Sequence, residues 1–328
     1  MNDPIYILGA HKSGTSLLRS LFDGHEKLFT IPVETHFSKY LGWWTKYPLK
    51  AQQSAHKITV KKFVDHTTGW INECNNTDDR YSDNFSKNIF NLLSFKAEMA
   101  KLSDVIDERE YIDMYFSAIY ASITGLQLST DVIVVEKSVE NSEHALRLKK
   151  LFPGSKFIHI IRNPYSNLVT LRKYMQKLAP SYPHLDKLIK SIRDSFYYAQ
   201  NNRELIKDYM IIRYEDLVVD TETIMKTLCE FVGIQFNDSL VTPSFQGKLW
   251  GGNSVTDRSF TQVSTERLNP WKREINALEI KTTNTFLGDV ILEFAYEKIP
   301  NKSGVLWPMK REKIKEYIGN RLYLRRPY

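Results

Sequence analysis

Residues 4–16 read PIYILGAHKSGTS, and the fold turns on how that stretch is understood. Pro4–Leu8 is a short apolar, β-branched run of the kind buried in a parallel sheet. Gly9 and Gly14 follow at the G-x-x-x-x-G spacing of a phosphate-cradling loop. In the nucleoside-triphosphate version of that loop a lysine follows the second glycine; here Thr15 occupies that position, and Lys12 stands three residues earlier. The two glycines let backbone N–H groups converge on a tetrahedral oxyanion, and a helix starting near Thr15 adds its positive end. The loop therefore calls for a phosphate-like ligand while arguing against triphosphate and Mg²⁺.

Working outward, three more apolar runs read as buried strands: DVIVVE (131–136), KFIHII (156–161) and YMIIRY (209–214). Helical periodicity follows each. Leu17, Leu18, Leu21 and Phe22 share one face after the first strand, with Gly24 as a stop. Ala145, Leu148 and Phe152 do so after the second, closed by Pro153-Gly154, and Pro164 opens the helix after the third. TETIMKTLCEFVGI gives a compact amphipathic helix after the fourth, ending near Gly233. Strand–helix alternation predicts an α/β fold: a P-loop-type parallel sheet flanked by helices, with ligands beyond the carboxyl ends of its strands.

The 328 residues suit a single domain spanning 1–328, and a composition of 42% hydrophobic and 25% charged residues is that of a globular protein. The sheet signal lapses over 36–130, an aromatic and helical stretch with Trp43, Trp44, Trp70, Tyr81 and Phe85, expected to cap the active site. Residues 250–272 read as a long loop, with Gly251 and Gly252 as pivots of a gate or as parts of a static turn. The +7 net charge favours anionic ligands, but 45 basic and 38 acidic residues are interspersed. The charged stretch 310–327 reads as a solvated helix rather than a nucleic-acid or lipid arm. Cys74 and Cys229 have neither metal nor redox spacing, and no signal-like segment or membrane-length apolar run occurs. The expectation is a cytoplasmic protein with no membrane span and no nucleic-acid partner.

The strand ends carry the chemistry. Arg162 stands where KFIHII (156–161) stops, and Thr170 lies two helical turns on. A guanidinium fork and a hydroxyl facing one anion make a phosphate site, though a lone arginine also pairs with surface carboxylates. Taken together, the glycine loop and the R-N-P-x(5)-[ST] run resemble the sulfotransferase family that uses 3′-phosphoadenosine 5′-phosphosulfate (PAPS). VVEKSVENSEHALRLKKLFPGSKFIHIIRNPYSNLV resembles that family's E-K-(T/S)-P-x-N and R-N-P segments, and IIRYEDLVVDTETIMKTLCEFVGIQF its R-Y-E-D-L segment. The matching segments are 4–38, 131–178 and 209–236, with a weaker echo to about residue 296. HKSGTSLLRSLFDGHEKLFTIPVETHF is closer to the bacterial and protein-tyrosine-sulfotransferase branch than to the cytosolic phenol and steroid enzymes.

The resemblance implies PAPS as co-substrate, 3′,5′-ADP as product and no required metal. It implies that Lys12, Ser13, Gly14, Thr15 and Ser16 hold the 5′-phosphosulfate and that Arg162 and Thr170 hold the 3′-phosphate. Tyr214 lies with the latter pair or packs in the core. Arg267 and Lys272, in a loop that matches the family only loosely, are further nucleotide contacts. Lys137 is implied as a catalytic lysine that, with Lys12, stabilises the leaving phosphate; its ordinary alternative is an ion pair with Glu140. A Glu-Thr pair after the first helix supplies the base in this branch, matching Glu34-Thr35. From the residues alone Glu34 and His36 both qualify, and the resemblance favours Glu34. A P-loop kinase fails on Thr15, and a non-catalytic anionic-glycan-binding module would need neither Glu34 nor Lys137. The acceptor is expected to be a small molecule, carbohydrate or lipid-like compound, and the aromatic cap offers a homodimer surface.

Overall fold

The computed structural model describes residues 1–43, 58–76, 88–102, 107–178, 184–252 and 262–301. Trp44, Tyr81, Phe85, residues 253–261 of the expected loop and the charged stretch 310–327 lie outside them.

Five strands form one parallel sheet: β1 (Ile5–Gly9), β2 (Leu28–Thr30), β3 (Ile133–Lys137), β4 (Lys156–Ile161) and β5 (Tyr209–Arg213). Their order is β2-β3-β1-β4-β5, with every pair parallel. The four strands read from the sequence are present. β2 was not anticipated; its three residues pair at the sheet edge with Ile133, Val134 and Val135. Register sets Ile7 beside Lys137 and Gly9 beside Ile160, so the ends of β3 and β4 flank the turn leaving β1. β2 and β3 lie on one side of β1 and β4 and β5 on the other, so the strand order switches at β1, where a crevice opens at the carboxyl edge.

Alternation along β1 sorts the core. Tyr6 and Leu8 face one side, with Phe157 from β4, and Ile5 and Ile7 face the other, with Ile158 and Ile160. On the second side pack α1 (Thr15–Phe22), α9 (Tyr214–Val219) and α10 (Thr221–Val232), through Leu18, Leu21, Leu217, Met225 and Leu228. On the first side lie α2 (Phe37–Tyr40), α3 (Val60–Asn76), α4 (Leu92–Met99), α5 (Glu108–Thr124) and α6 (Asn141–Leu151). The described residues of the stretch expected to cap the site are thus mostly helical and share the sheet's own core. Trp43 and Trp70 are buried at 9% and 7% exposure, so both spend their rings on packing. A third cluster joins α7 (Pro164–Leu178), α8 (Leu185–Leu205) and α11 (Ala277–Glu293).

The boundaries have local causes. The Asn163 Oδ1 accepts from the amides of Tyr165 and Ser166 at 3.1 and 3.2 Å, with Pro164 at the first helical position. Asp220 caps α10 through the Thr223 amide, and Asn276 and Glu279 form a capping box on α11. Among the described residues no helix is long and apolar enough to cross a membrane.

His159 ties the sheet to α8: one ring nitrogen bonds the Tyr209 hydroxyl at 2.6 Å and the other the Ser195 hydroxyl at 2.9 Å. Burial pulls its pKa from 6.5 to about 3. The unfolded chain binds a proton at this ring that the folded chain refuses. The neutral ring's stability is present above pH 6.5 and is lost as pH falls toward 3, by about 1.4 kcal/mol per unit. In urea unfolding across that window, His159→Gln is expected to make the pH dependence shallower by about one proton. An unaltered pH dependence would contradict the burial account.

Candidate active site

The turn out of β1 is shaped by what it must avoid. Gly9 has φ 152°, and a Cβ there would lie 2.6 Å from the Ile160 carbonyl oxygen. Gly14 has φ 111°, and a Cβ would lie 2.5 Å from Cδ2 of Tyr214. Both positions therefore need glycine for conformation and for space. Gly14 is also the N-cap of α1; no side chain caps that helix, and its first turn carries no acidic residue. Its N-terminal amides and dipole thus face the crevice without an internal anion. Ser13, Thr15 and Ser16 are buried around this turn, and among the described residues the Ser13 hydroxyl finds no hydrogen-bond partner.

One side of the loop is arginine-built. Arg162, 8% exposed, donates from Nη1 to the Lys12 carbonyl at 3.0 Å and from Nη2 to the Arg267 carbonyl at 3.5 Å. Its guanidinium lies 4.5 Å over the Tyr214 ring, whose edge fills the space left by Gly14. Asn167 holds the neighbouring His11 carbonyl at 2.9 Å. Arg162, Tyr214, Lys12 and Arg267 are thus brought together, and Arg162 Nε is buried with no hydrogen-bond partner among the described residues. The Thr170 hydroxyl donates to the Ser166 carbonyl of its own helix at 2.8 Å, leaving its oxygen lone pairs as its remaining capacity. Lys272 points elsewhere: its side chain is about half exposed, and its ammonium lies 3.9 Å from Glu297.

The other side is a charged cluster. Lys137, at the end of β3 and 4% exposed, donates to Glu34 Oε1 at 2.7 Å. Its partner is therefore Glu34 rather than Glu140. Glu140 instead accepts His36 Nδ1 at 2.5 Å, and the His36 ring meets Trp70 edge-on at 4.9 Å. Trp70 Nε1 donates to the Glu34 carbonyl at 2.9 Å, so one tryptophan supports both residues. Lys12 and His36 adopt left-handed backbone, at φ 63° and 51°, the sort of strain that functional sites hold. The Lys12 ammonium sits 3.9 Å over the Tyr174 ring.

The electrostatics separate the two candidate bases. Burial pushes the Glu34 carboxyl up, but Lys137 with His11 and His36 outweighs it and brings the pKa from 4.5 to about 2. For His36 burial pulls down, yet the Glu140 carboxylate wins and raises it above the ordinary value. His36 is thus held toward the imidazolium, which has no lone pair to accept a proton, while Glu34 is held as the carboxylate. Glu34, His36 and Glu140 also place one ligand atom each within 4.8 Å of one another, but a proton on His36 opposes a metal cation there. The Lys137 ammonium against Glu34 competes for that position.

Sequence reasoning missed Tyr174 and named Trp70 only among the aromatics of the expected cap. Glu140 was visible as the fifth residue of EKSVEN but was read only as a partner for Lys137.

The chain belongs to the sulfotransferase family, whose model matches residues 4–238. It is 31% identical over 109 residues to the omega-hydroxy-beta-dihydromenaquinone-9 sulfotransferases of Mycobacterium bovis and Mycobacterium tuberculosis. That match spans 29% of this chain and only 28% of those curated relatives. The fold is similar to the sulfotransferase domain from the curacin biosynthetic pathway (TM-score 0.59, 20% identity, 91% of this chain and 99% of that one). It is also similar to the sulfotransferase domain of the Synechococcus PCC 7002 olefin synthase (TM-score 0.55, 19% identity, 91% and 96%).

Gly14→Ala is expected to lower the unfolding free energy by at least about 2 kcal/mol, because neither the backbone nor the Tyr214 ring beneath Arg162 can yield. Urea denaturation measures this, and a variant as stable as the parent would show that the turn is not constrained as described.

Proposed function

We propose that this chain transfers a sulfuryl group from PAPS to a hydroxyl or amine of a small-molecule, carbohydrate or lipid-like acceptor. The observation that carries the reading is the Lys137–Glu34 contact at 2.7 Å, set beside an uncapped helix N-terminus at the end of a glycine turn. Family membership supports the reaction class, and the residues support the roles.

The 5′-phosphosulfate sits on the turn, against the amides and hydroxyls of Lys12 to Ser16. The 3′-phosphate lies toward Arg162, with Thr170 donating to it once its hydroxyl turns from the Ser166 carbonyl, and the Arg267 carbonyl lies on the same side. The acceptor approaches from the side of Glu34, His36 and Trp70. Glu34 takes the acceptor proton as the acceptor oxygen or nitrogen bonds to sulfur. The bond from sulfur to the bridging oxygen breaks, and its electron pair leaves with the 5′-phosphate of 3′,5′-ADP. Lys137, assisted by Lys12, stabilises that growing charge.

A carboxylate clamped to about 2 is a weak base. As charge grows on the bridging oxygen, Lys137 is drawn from Glu34, and Glu34 gains basicity as the acceptor proton must move. The chain's own cations carry this scheme without a metal. The two free cysteines suit a reducing, cytoplasmic setting.

Calorimetric titration with 3′,5′-ADP in the absence of metal, against 5′-AMP and Mg-ATP, tests the donor site. Binding is expected to favour 3′,5′-ADP and to weaken about tenfold or more in Arg162→Ala. Glu34→Gln and Lys137→Met are each expected to slow labelled-sulfate release from PAPS about a hundredfold. Preference for Mg-ATP would establish a kinase instead. Binding without any turnover effect in those two variants would indicate a non-catalytic anion-binding module.

A further inference from the structure

The reacting groups come from two segments about a hundred residues apart, and one buried carboxylate joins them. Glu136, the residue before Lys137 on β3, is 0% exposed. It accepts from Thr35 Oγ1 at 2.8 Å, Ser138 Oγ at 2.5 Å and Asn141 Nδ2 at 2.6 Å. Ser138 Oγ in turn accepts the Thr35 amide at 3.1 Å, and the Tyr115 hydroxyl donates to the Thr35 carbonyl at 3.1 Å. Thr35 stands between Glu34 and His36, Ser138 follows Lys137, and Asn141 follows Glu140.

We infer that Glu136 is a positioning residue, whose buried carboxylate locks Thr35, Ser138 and Asn141 together and so sets the Glu34–Lys137 and His36–Glu140 contacts. This rests on the proposed roles of Glu34 and Lys137, and it gives the Glu-Thr pair and the E-K-S-x-x-N spacing a physical reason. Thr35 has its amide, hydroxyl and carbonyl all engaged, which fixes the backbone on both sides of it. A buried carboxylate is costly unless donors satisfy it, and here three do. Burial pushes its pKa up to about 7 against the hydrogen bonds from Ser138 and Thr35. Losing one donor therefore threatens the charge that holds the others. A displacement on the order of 1 Å at a reacting group is enough to cost about a hundredfold in rate.

The test follows the Glu34 side-chain carbonyl by ¹³C NMR in the full chain labelled at glutamate, with the resonance assigned by its loss in Glu34→Gln. Burial raises the Glu34 pKa, and Lys137, His11 and His36 outweigh it and lower the pKa. In the parent chain Glu34 stays ionised to the lowest pH at which the fold survives. Thr35→Val keeps the Glu136 carboxyl but cuts the link, and is expected to raise the midpoint by about one unit or more as Lys137 loosens. Glu136, raised to about 7, is already protonated where Glu34 titrates, so Glu136→Gln changes no charge there and a rise in the midpoint reports lost positioning. Thr35→Ser is expected to restore the parent value. The same two disruptive variants should release labelled sulfate from PAPS about a hundredfold more slowly, with 3′,5′-ADP affinity, held mainly on the Arg162 side and the glycine turn, reduced far less than the rate. An unchanged or lowered midpoint in folded Thr35→Val and Glu136→Gln would overturn the inference. A parent chain that fails to bind 3′,5′-ADP would instead remove the proposed function, and the titration would still decide the role of Glu136.

Discussion

A lysine and a glutamate held 2.7 Å apart at the carboxyl edge of a parallel sheet is the interaction on which the site depends. Lys137 is almost fully buried, and taking its ammonium out of water is favourable only with a partner in place. The partner comes from the segment after β2, so pairing draws that segment across the end of β3. The same pair keeps Glu34 ionised and Lys137 aimed at the crevice. A base and a cation that neutralise each other at rest can separate when a third charge arrives, which suits transfer of an anionic group.

The sheet order explains why the site has two unlike sides. β1 lies between β3 and β4, so its glycine turn opens with Lys137 on one flank and Arg162 on the other. The Arg162 side is rigid, with the guanidinium stacked on Tyr214, Tyr214 on Gly14, and carbonyls of two loops gathered on the arginine. The Glu34 side is a network of hydrogen bonds and ion pairs converging on buried Glu136. Packing fixes the first and polar complementarity the second. Substitutions on the two sides should therefore affect binding and turnover differently.

Much of this was legible because β1, β3, β4 and β5 are continuous apolar runs, and their ends are polar in a repeating way. β2 was not, since three residues at a sheet edge leave no period to detect. The aromatics of the 36–130 stretch drew attention as a pocket lining, yet Trp43 and Trp70 are core residues. Aromatic content reports burial before it reports ligands. The candidate site residues were legible singly, but their partners were not. Lys137 has a carboxylate three residues on at Glu140, and local spacing suggests that pair. The fold instead supplies Glu34, 103 residues away, because β2 and β3 are neighbours in a register that sequence does not display. Lys272 illustrates the converse: it lies in the expected loop but faces Glu297.

The most direct measurement is a crystal structure of the chain grown with 3′,5′-ADP. The account predicts the 5′-phosphate on the turn from Lys12 to Ser16, the 3′-phosphate toward Arg162 and Thr170, and the Lys137 ammonium facing the 5′-phosphate. A nucleotide bound away from the glycine turn, or one whose phosphates touch neither Arg162 nor the N-terminus of α1, would contradict it.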